Sequence, residues 1–270
     1  MRVSDITIGQ YFPGNSPVHR LDPRMKLIIT AGYVVMLFLA ENLLALSVGI
    51  AFVAITYPLS RISLVFILRS LKPVAPIIIF TGVLNLFFVS GEPIWEFWVL
   101  SISAEGIRVA VHMCLRILCL IGGTALLTYT TSPIALTDGI EMLFSPLKKF
   151  GAPVHEIAMM MTITLRFIPT LIEETEKIMS AQKARGADLE SGSIIQRLRA
   201  MIPILIPLFV SAFRRAEDLA LAMESRCYHG GEGRTRMRIL KMSLVDIWGA
   251  LFIAACVAAV IALNITLGGS

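Results

Sequence analysis

Two arginines have the residue types and spacing best suited to a specific interaction. Each lies between two small residues at the charged end of a long amphipathic segment. A guanidinium group can make two parallel hydrogen bonds to a carboxylate, or bind backbone carbonyls, and small neighbours let a partner's backbone come close. This chemistry is binding rather than catalysis. The two tripeptides are Ala184-Arg185-Gly186 and Ser225-Arg226-Cys227.

An arginine near a helix end also has an ordinary explanation. Its charge complements the negative end of the helix dipole, which stabilises a helix by about 0.3–1 kcal/mol. That explanation suffices for one end, but the pattern here occurs twice, and the repetition favours docking to a partner. A shift of 41 residues aligns Glu176, Ile178, Ala181 and Arg185 with Glu217, Leu219, Ala222 and Arg226.

A second polar group lies in an apolar segment. Arg108, His112 and Arg116 are spaced four residues apart, which places them on one face of a helix. They could form an intramembrane site of an enzyme or ion-coupled carrier. Alternatively, Arg108 extends to the outer interface and the other two pair inside the bundle. We favour the second interpretation, because no HExxH motif, Ser/His/Asp arrangement or paired intramembrane carboxylates accompany them.

Other familiar sites are missing from the sequence. The four cysteines form no CxxC pair, so neither a zinc site nor a disulfide framework is expected. There is no G-x-x-x-x-G-K-[ST] phosphate loop. The basic run 234–238 is typical of an anchor for anionic headgroups rather than a nucleic-acid site. We therefore predict a non-catalytic chain with no catalytic residues, no metal, no bound cofactor and no nucleic-acid partner.

The composition is that of a membrane protein. Of 270 residues, 56% are hydrophobic and 16% are charged, whereas soluble domains have about 25% charged residues. The first ~20 residues are polar and predict no cleavable signal peptide. Five apolar segments predict about five transmembrane helices. They are 27–40 and 43–59, which form a tight hairpin, then about 74–89, about 106–131, and 244–263.

Charged residues predict the orientation of these spans. Fifteen of the 24 lysines and arginines lie between Lys148 and Lys241, and cytoplasmic loops carry such an excess. Arg61, Arg69 and Lys72 mark another positive loop, whereas the 92–105 loop is acidic and contains tryptophans. We therefore expect a multi-pass protein of the cytoplasmic membrane, with its amino terminus, the 60–72 loop and residues 133–243 in the cytoplasm.

The segment from Pro153 to Tyr228 is predicted to form two long amphipathic helices. A short loop joins them, and Ser193 can cap the second. The apolar centre of the second helix, 201–213, is too short to span a bilayer. Because both carboxyl ends are charged, the pair is expected to lie close to the membrane plane with its two arginine tips far apart. The predicted fold is an all-α polytopic membrane protein.

The lead-in GQYFPGNSPVHRLDPRMK between Gly9 and Lys26, together with the two tips, resembles a known family. It is similar to the transmembrane (T) component of energy-coupling factor (ECF) transporters, importers of the ATP-binding-cassette class. The lead-in looks more like the shared-module type than the types dedicated to biotin or cobalt. The resemblance implies transmembrane helices 1–4 in residues 1–132, a cytoplasmic coupling domain in 133–242, and a last transmembrane helix in 243–270.

The resemblance also implies roles for the two surfaces. Arg185 and Arg226 would dock into grooves of two ATPase subunits, which use ATP and Mg²⁺, although Ser225 and Cys227 depart from the Ala-Arg-Gly motif. The chain would couple their motion to a substrate-binding S component, which sets the specificity for a vitamin or other micronutrient. The S component would lie on an apolar face formed by Met161, Leu165, Ile168, Ile172, Ile202, Leu205, Phe209 and Phe213.

Overall fold

Long apolar helices separated by short turns make up most of the chain. The computed structural model describes residues 11–89, 93–97, 100–187, 193–230 and 242–268. The helices are α1 Pro17–Arg20, α2 Pro23–Leu39, α3 Leu43–Ser60, α4 Leu64–Leu71, α5 Ala75–Phe88, α6 Ala104–Thr130, α7 Pro133–Phe144, α8 Val154–Ala184, α9 Ile194–Glu224 and α10 Leu244–Gly268. The described chain also contains a 3₁₀ helix, Ser145–Phe150, and two strands, β1 Pro93–Phe97 and β2 Leu100–Ser103.

The chain divides into two compact units. One unit, the helical bundle, contains residues 9–139 and 240–270. The other, the long-helix unit, contains residues 1–8 and 140–239.

The predicted hairpin of apolar helices is confirmed as α2 and α3. Asp22 caps α2, because its carboxylate accepts a hydrogen bond from the Arg24 N–H at 2.9 Å. Pro23 follows at the first helical position, where its fixed φ suits the helix and its missing N–H costs nothing. Residues 40–42 form the short turn before α3.

The prediction for the next span needs correction. Residues 64–71, which include Arg69 and were expected to be a positive loop, form α4, which Ser63 caps. α4 and α5 meet at a bend of 64°. α5 alone has 14 residues, too few to cross a bilayer of about 30 Å. Any span in this region must therefore use the bent pair.

The described part of the acidic loop forms a small hairpin that the all-α prediction did not include. β1 and β2 pair antiparallel, with Glu96 opposite Ser101 and Phe97 opposite Leu100. Ser103 then caps α6 by accepting a hydrogen bond from the Gly106 N–H at 2.9 Å. Glu92 and Trp98 lie outside the described residues.

The lengths of the helices fit a multi-pass membrane protein. Among the described helices, α3, α6, α9 and α10 are long and apolar enough to cross a membrane, and the α4–α5 pair can be a fifth span. α2 has 17 residues, at the short end of the spanning range. Length and composition of the whole helix therefore also allow α9 to cross, although its apolar centre, 201–213, is by itself shorter than a span.

Tyr33 is at the centre of the core of the helical bundle. Its side chain is 1% exposed and stacks on Phe52, with ring centroids 4.7 Å apart. Its hydroxyl donates to the Cys119 carbonyl of α6 at 3.0 Å. α6 passes directly over the Tyr33 ring at Gly123, where a Cβ atom would overlap the ring carbons. The absence of a side chain at Gly123 thus allows α2 and α6 to pack closely.

Residues of the polar lead-in form hydrogen bonds with the ends of several helices of this bundle. Lys26 is 6% exposed, and its ammonium group donates to the carbonyl of Thr130, at the end of α6, at 2.8 Å. The Asp22 N–H donates to the carboxylate of Asp246 in α10 at 2.7 Å, and the Ser243 N–H donates to its other oxygen at 2.6 Å. Buried charges are tolerated only with such partners.

The long-helix unit contains the two predicted amphipathic helices. α8 continues through Pro169, and α9 continues through Pro203. The predicted cap of α9 is confirmed as a capping box, in which the Ser193 side chain and the Gln196 side chain each bond to the other residue's backbone N–H.

The close approach at Gly123 gives a prediction with a matched control. Gly123→Ala should overpack the contact with Tyr33 and lower the free energy of unfolding by about 1–3 kcal/mol. Gly122→Ala, one residue earlier, places its Cβ 3.6 Å from Val53, an ordinary contact, and should be neutral or slightly stabilising. Thermal unfolding in detergent compares the two. Equal unfolding temperatures for both variants would contradict this account.

Candidate functional site

The first arginine tip closes α8. Gly186 has φ +86°, a left-handed conformation that glycine adopts without steric cost. The Gly186 N–H donates to the Lys183 carbonyl at 3.0 Å, and the Ala187 N–H donates to the Gln182 carbonyl at 3.0 Å. This pair of hydrogen bonds is the Schellman motif. It satisfies the last carbonyls of the helix and makes Arg185 the cap residue.

The second tip has the same backbone structure. The Cys227 N–H donates to the Glu224 carbonyl at 2.9 Å, and the Tyr228 N–H donates to the Met223 carbonyl at 3.1 Å. Each bond corresponds to one in the first tip shifted by 41 residues, so Arg226 occupies the place of Arg185. Cys227 has φ +57°, a conformation that costs a residue with a Cβ about 1–2 kcal/mol. The departure from Ala-Arg-Gly therefore changes side chains but not backbone geometry.

Both tips present their arginines outward. Every residue of the two tripeptides is exposed. Neither Arg185 nor Arg226 makes a side-chain hydrogen bond or an ion pair with another described residue. Their guanidinium groups therefore have bonding capacity for a partner.

Contacts along α8 and α9 show that the helices run in opposite directions. Gln182 donates from its side chain to the Pro203 carbonyl at 3.3 Å. Arg215 donates to the carboxylate of Glu174 at 2.7 Å. Glu174 lies eight residues before Gln182 on α8, whereas Arg215 lies twelve residues after Pro203 on α9. Arg226 lies in a cleft that the beginning of α8 also lines. At about 1.5 Å per residue, Arg185 is roughly 35 Å from that cleft, so the two tips are far apart.

The Glu174–Arg215 pair fixes this crossing. Its side chains are 22% and 37% exposed, respectively. A hydrogen bond from Ser211, together with the charge of Arg215, holds the pKa of Glu174 below its usual value. The carboxylate therefore stays charged and keeps its partner over a wide pH range. The sequence predicted two amphipathic helices here but did not indicate which of their residues contact each other.

The apolar face expected to hold an S component is present, though unevenly exposed. On α9, Phe213 is 68% exposed and Phe209 is 60% exposed. On α8, Leu165 and Ile168 are only partly exposed. An apolar row of this kind at a protein surface marks an interaction with lipid or another protein. The exposed members of the predicted set are Met161, Ile202, Leu205, Phe209 and Phe213, and the partly exposed members are Leu165, Ile168 and Ile172.

The alternative polar site in α6 is not assembled as a reaction centre. Arg108 is exposed, whereas Arg116 is partly buried and donates from Nη2 to the carbonyl of Ala40. Ala40 ends α2, so the cation binds the negative end of that helix. Asn264 binds the neighbouring Leu39 carbonyl at 2.5 Å. This arrangement supports a structural role for Arg116, which joins α2 to α6.

Within the described residues, no group of three or more histidine, cysteine or acidic side chains could hold a metal ion. The basic run 234–238, interpreted above as an anchor for headgroups, lies outside the described part of the chain.

Comparison with known proteins covers both units. A family model described as cobalt transport protein (CbiQ) matches residues 14–237. The energy-coupling factor transporter transmembrane protein EcfT of Thermosediminibacter oceani is 55% identical over 256 residues, 95% of this chain and 96% of that protein. EcfT of Ruminiclostridium cellulolyticum is 54% identical over 245 residues, 91% of this chain and 92% of that protein. EcfT of Lactococcus lactis is 45% identical over 245 residues, 90% of this chain and 92% of that protein.

The left-handed residue at each tip gives a second prediction. Cys227→Gly removes the steric cost of positive φ and should stabilise the second tip by about 1 kcal/mol. Gly186→Ala should destabilise the first tip by a similar amount. Hydrogen exchange of peptides covering each tip would report opposite changes of about fivefold in protection. If both substitutions changed protection in the same direction, the equivalence of the two tips would be wrong.

The contact between Arg116 and Ala40 gives a third prediction. Arg116→Ala leaves the helix-end carbonyl without its charged donor and should cost about 1.5–3 kcal/mol of stability. Arg108→Ala, on the same face but exposed, should change stability by less than about 0.5 kcal/mol. Thermal unfolding in detergent measures both. Similar losses for the two variants would refute the assignment of Arg116 as the structural member of the group.

Proposed function

Because this chain belongs to the CbiQ family of cobalt transport proteins, and is similar to EcfT proteins over nine-tenths of its length, we propose that it is the coupling subunit of an ECF importer. It would transmit ATP-driven motion of two ATPase subunits to a membrane-embedded S component. The cargo would be a vitamin or another micronutrient. The chain itself would be non-catalytic.

The observation that carries the proposal is the pair of identically built arginine tips at opposite ends of two crossed helices. A single docking point could anchor a partner but could not transmit relative motion. Two points roughly 35 Å apart, joined by helices that contact each other, form a lever. Movement of the two partners relative to each other would then tilt the helices between them.

The chemistry of the tips suits ATPase subunits as partners. The sequence has no phosphate loop of its own, so the energy for transport must come from other chains. Exposed guanidinium groups at helix ends can bind carboxylates and backbone carbonyls in a groove. Mg²⁺ and ATP would be bound by those partners. One tip would serve each ATPase.

The apolar row of α9 supports contact with the S component at the membrane. α9 is long enough to cross a membrane, but its charges favour another placement. The 14 residues between Arg199 and Arg214 would extend about 21 Å, less than the ~30 Å hydrocarbon layer. An α9 that lies along the cytoplasmic surface keeps these arginines in water and turns Phe209 and Phe213 towards lipid and the S component.

Charge distribution supports the location and orientation. The excess of lysine and arginine in residues 148–241 supports a cytoplasmic location of the long-helix unit by the positive-inside rule. The ATPases would be there too, since ATP is cytoplasmic. The chain would therefore reside in the cell membrane with its amino terminus and coupling helices inside.

Charge reversal at both tips tests the proposal. Arg185→Glu/Arg226→Glu should abolish ATP-driven uptake and reduce ATPase retention at least about tenfold, because each guanidinium would become a repulsive carboxylate. The matched control is Arg197→Glu/Arg214→Glu, which reverses two exposed arginines away from the tips. Uptake into cells and subunit ratios in the complex purified in mild detergent are the measurements. Full uptake by the double tip variant would refute the proposed function.

A further inference from the structure

An open cleft adjoins the second arginine tip. α8 contributes Met159, Ile163 and Arg166 to it, and α9 contributes Leu219 and Met223 before Arg226. Residues 227–230 line its end, and its volume is about 620 Å³. The cleft is thus formed by the first third of one helix and the last turns of the other.

The cleft is apolar at its base and basic at its edges. Its described lining includes two arginines and His229 but no acidic residue. Arg166 is exposed and makes no hydrogen bond or ion pair with another described residue. A cleft lined by cations and by no acidic residue favours an anion. The charge pattern therefore fits an incoming carboxylate that is carried on an apolar segment.

The cleft faces away from the surface assigned to the S component on α8. Met159, Ile163 and Arg166 follow the i, i+4, i+7 pattern of one helix face. Met161 and Leu165 of the other surface follow the same pattern two residues later. At about 100° per residue, the two rows are separated by about 200° around the helix. On α8, the two surfaces therefore do not overlap.

We propose that this cleft receives an acidic, apolar segment of one ATPase subunit, whose carboxylate is held between Arg166 and Arg226. The inference rests on the proposed function and refines it. Docking at the second tip would then involve two helices rather than one helix end. The ATPase would hold the beginning of α8 together with the end of α9, so both helices would move with it.

Charge reversal at Arg166 tests this assignment in the assembled complex. Arg166→Glu should lower retention of one ATPase subunit at least about tenfold and leave the other bound, which also shows that the chain is folded. Arg226→Glu should remove the same subunit. Arg214→Glu makes the same charge change on an exposed site outside the cleft and should retain both. If Arg166→Glu retained both subunits as Arg214→Glu does, the inference would be wrong.

A crosslinking experiment identifies the occupant directly. A photoreactive benzophenone amino acid in place of Ile163 should form an adduct with a chain that contains a G-x-x-x-x-G-K-[ST] phosphate loop, and mass spectrometry would locate an acidic residue near the crosslinked position. Arg166→Glu in the same chain should reduce that adduct at least about tenfold. Adducts with lipid, or with residues 231–241 of this chain, would overturn the assignment.

The two proposals fail differently. If Arg226→Glu removes an ATPase but Arg166→Glu does not, only the role of the cleft is wrong. If Arg185→Glu and Arg226→Glu together leave both ATPases bound and uptake intact, the proposed function itself is wrong.

Discussion

The contact between α8 and α9 is the constraint on which the rest of the functional surface depends. Glu174 and Arg215 meet at 2.7 Å, and Gln182 reaches the backbone of Pro203. Half-exposed ion pairs contribute only about 0–1 kcal/mol, so this pair matters more for register than for energy. It fixes which turns of the two helices face each other. With that register set, the two carboxyl ends lie at opposite ends of the pair.

The helical bundle has its own constraint, at the end of α6 and the beginning of α10. Lys26 binds the last turn of α6, after which the chain continues towards α7. Asp246 binds the Asp22 N–H and the Ser243 N–H at the beginning of α10. One short lead-in therefore contacts both the end of α6 and the beginning of α10. Buried polar contacts of this type fix geometry because any other arrangement would leave charges unpaired.

Features that depend on residues close together in the sequence were largely predicted. Features that depend on contacts between distant residues were not. The cap at Ser193 and the two arginine tips depend on neighbouring residues and were predicted from them. α4 was missed because Arg69 and Lys72 were interpreted as loop charges, although the apolar spacing of residues 64–71 is helical. The acceptor for Arg116 is the Ala40 carbonyl, which side-chain motifs do not encode. The sequence did not connect Arg166 with Arg226, because the two are 60 residues apart.

Under the proposed function, the opposite placement of the two surfaces on α8 would have a mechanical consequence. A helix that is pushed by one partner on one face and pushes another partner with the opposite face must not bend or unwind. α8 remains helical through Pro169, although proline donates no backbone hydrogen bond there, and the Schellman ends that satisfy the last carbonyls would reduce fraying where force would enter. The strained Cys227 shows which part of a tip the fold preserves: the backbone turn that presents arginine is kept even where no glycine is available. The backbone turn, rather than the small residues around it, is therefore the feature that the two tips share.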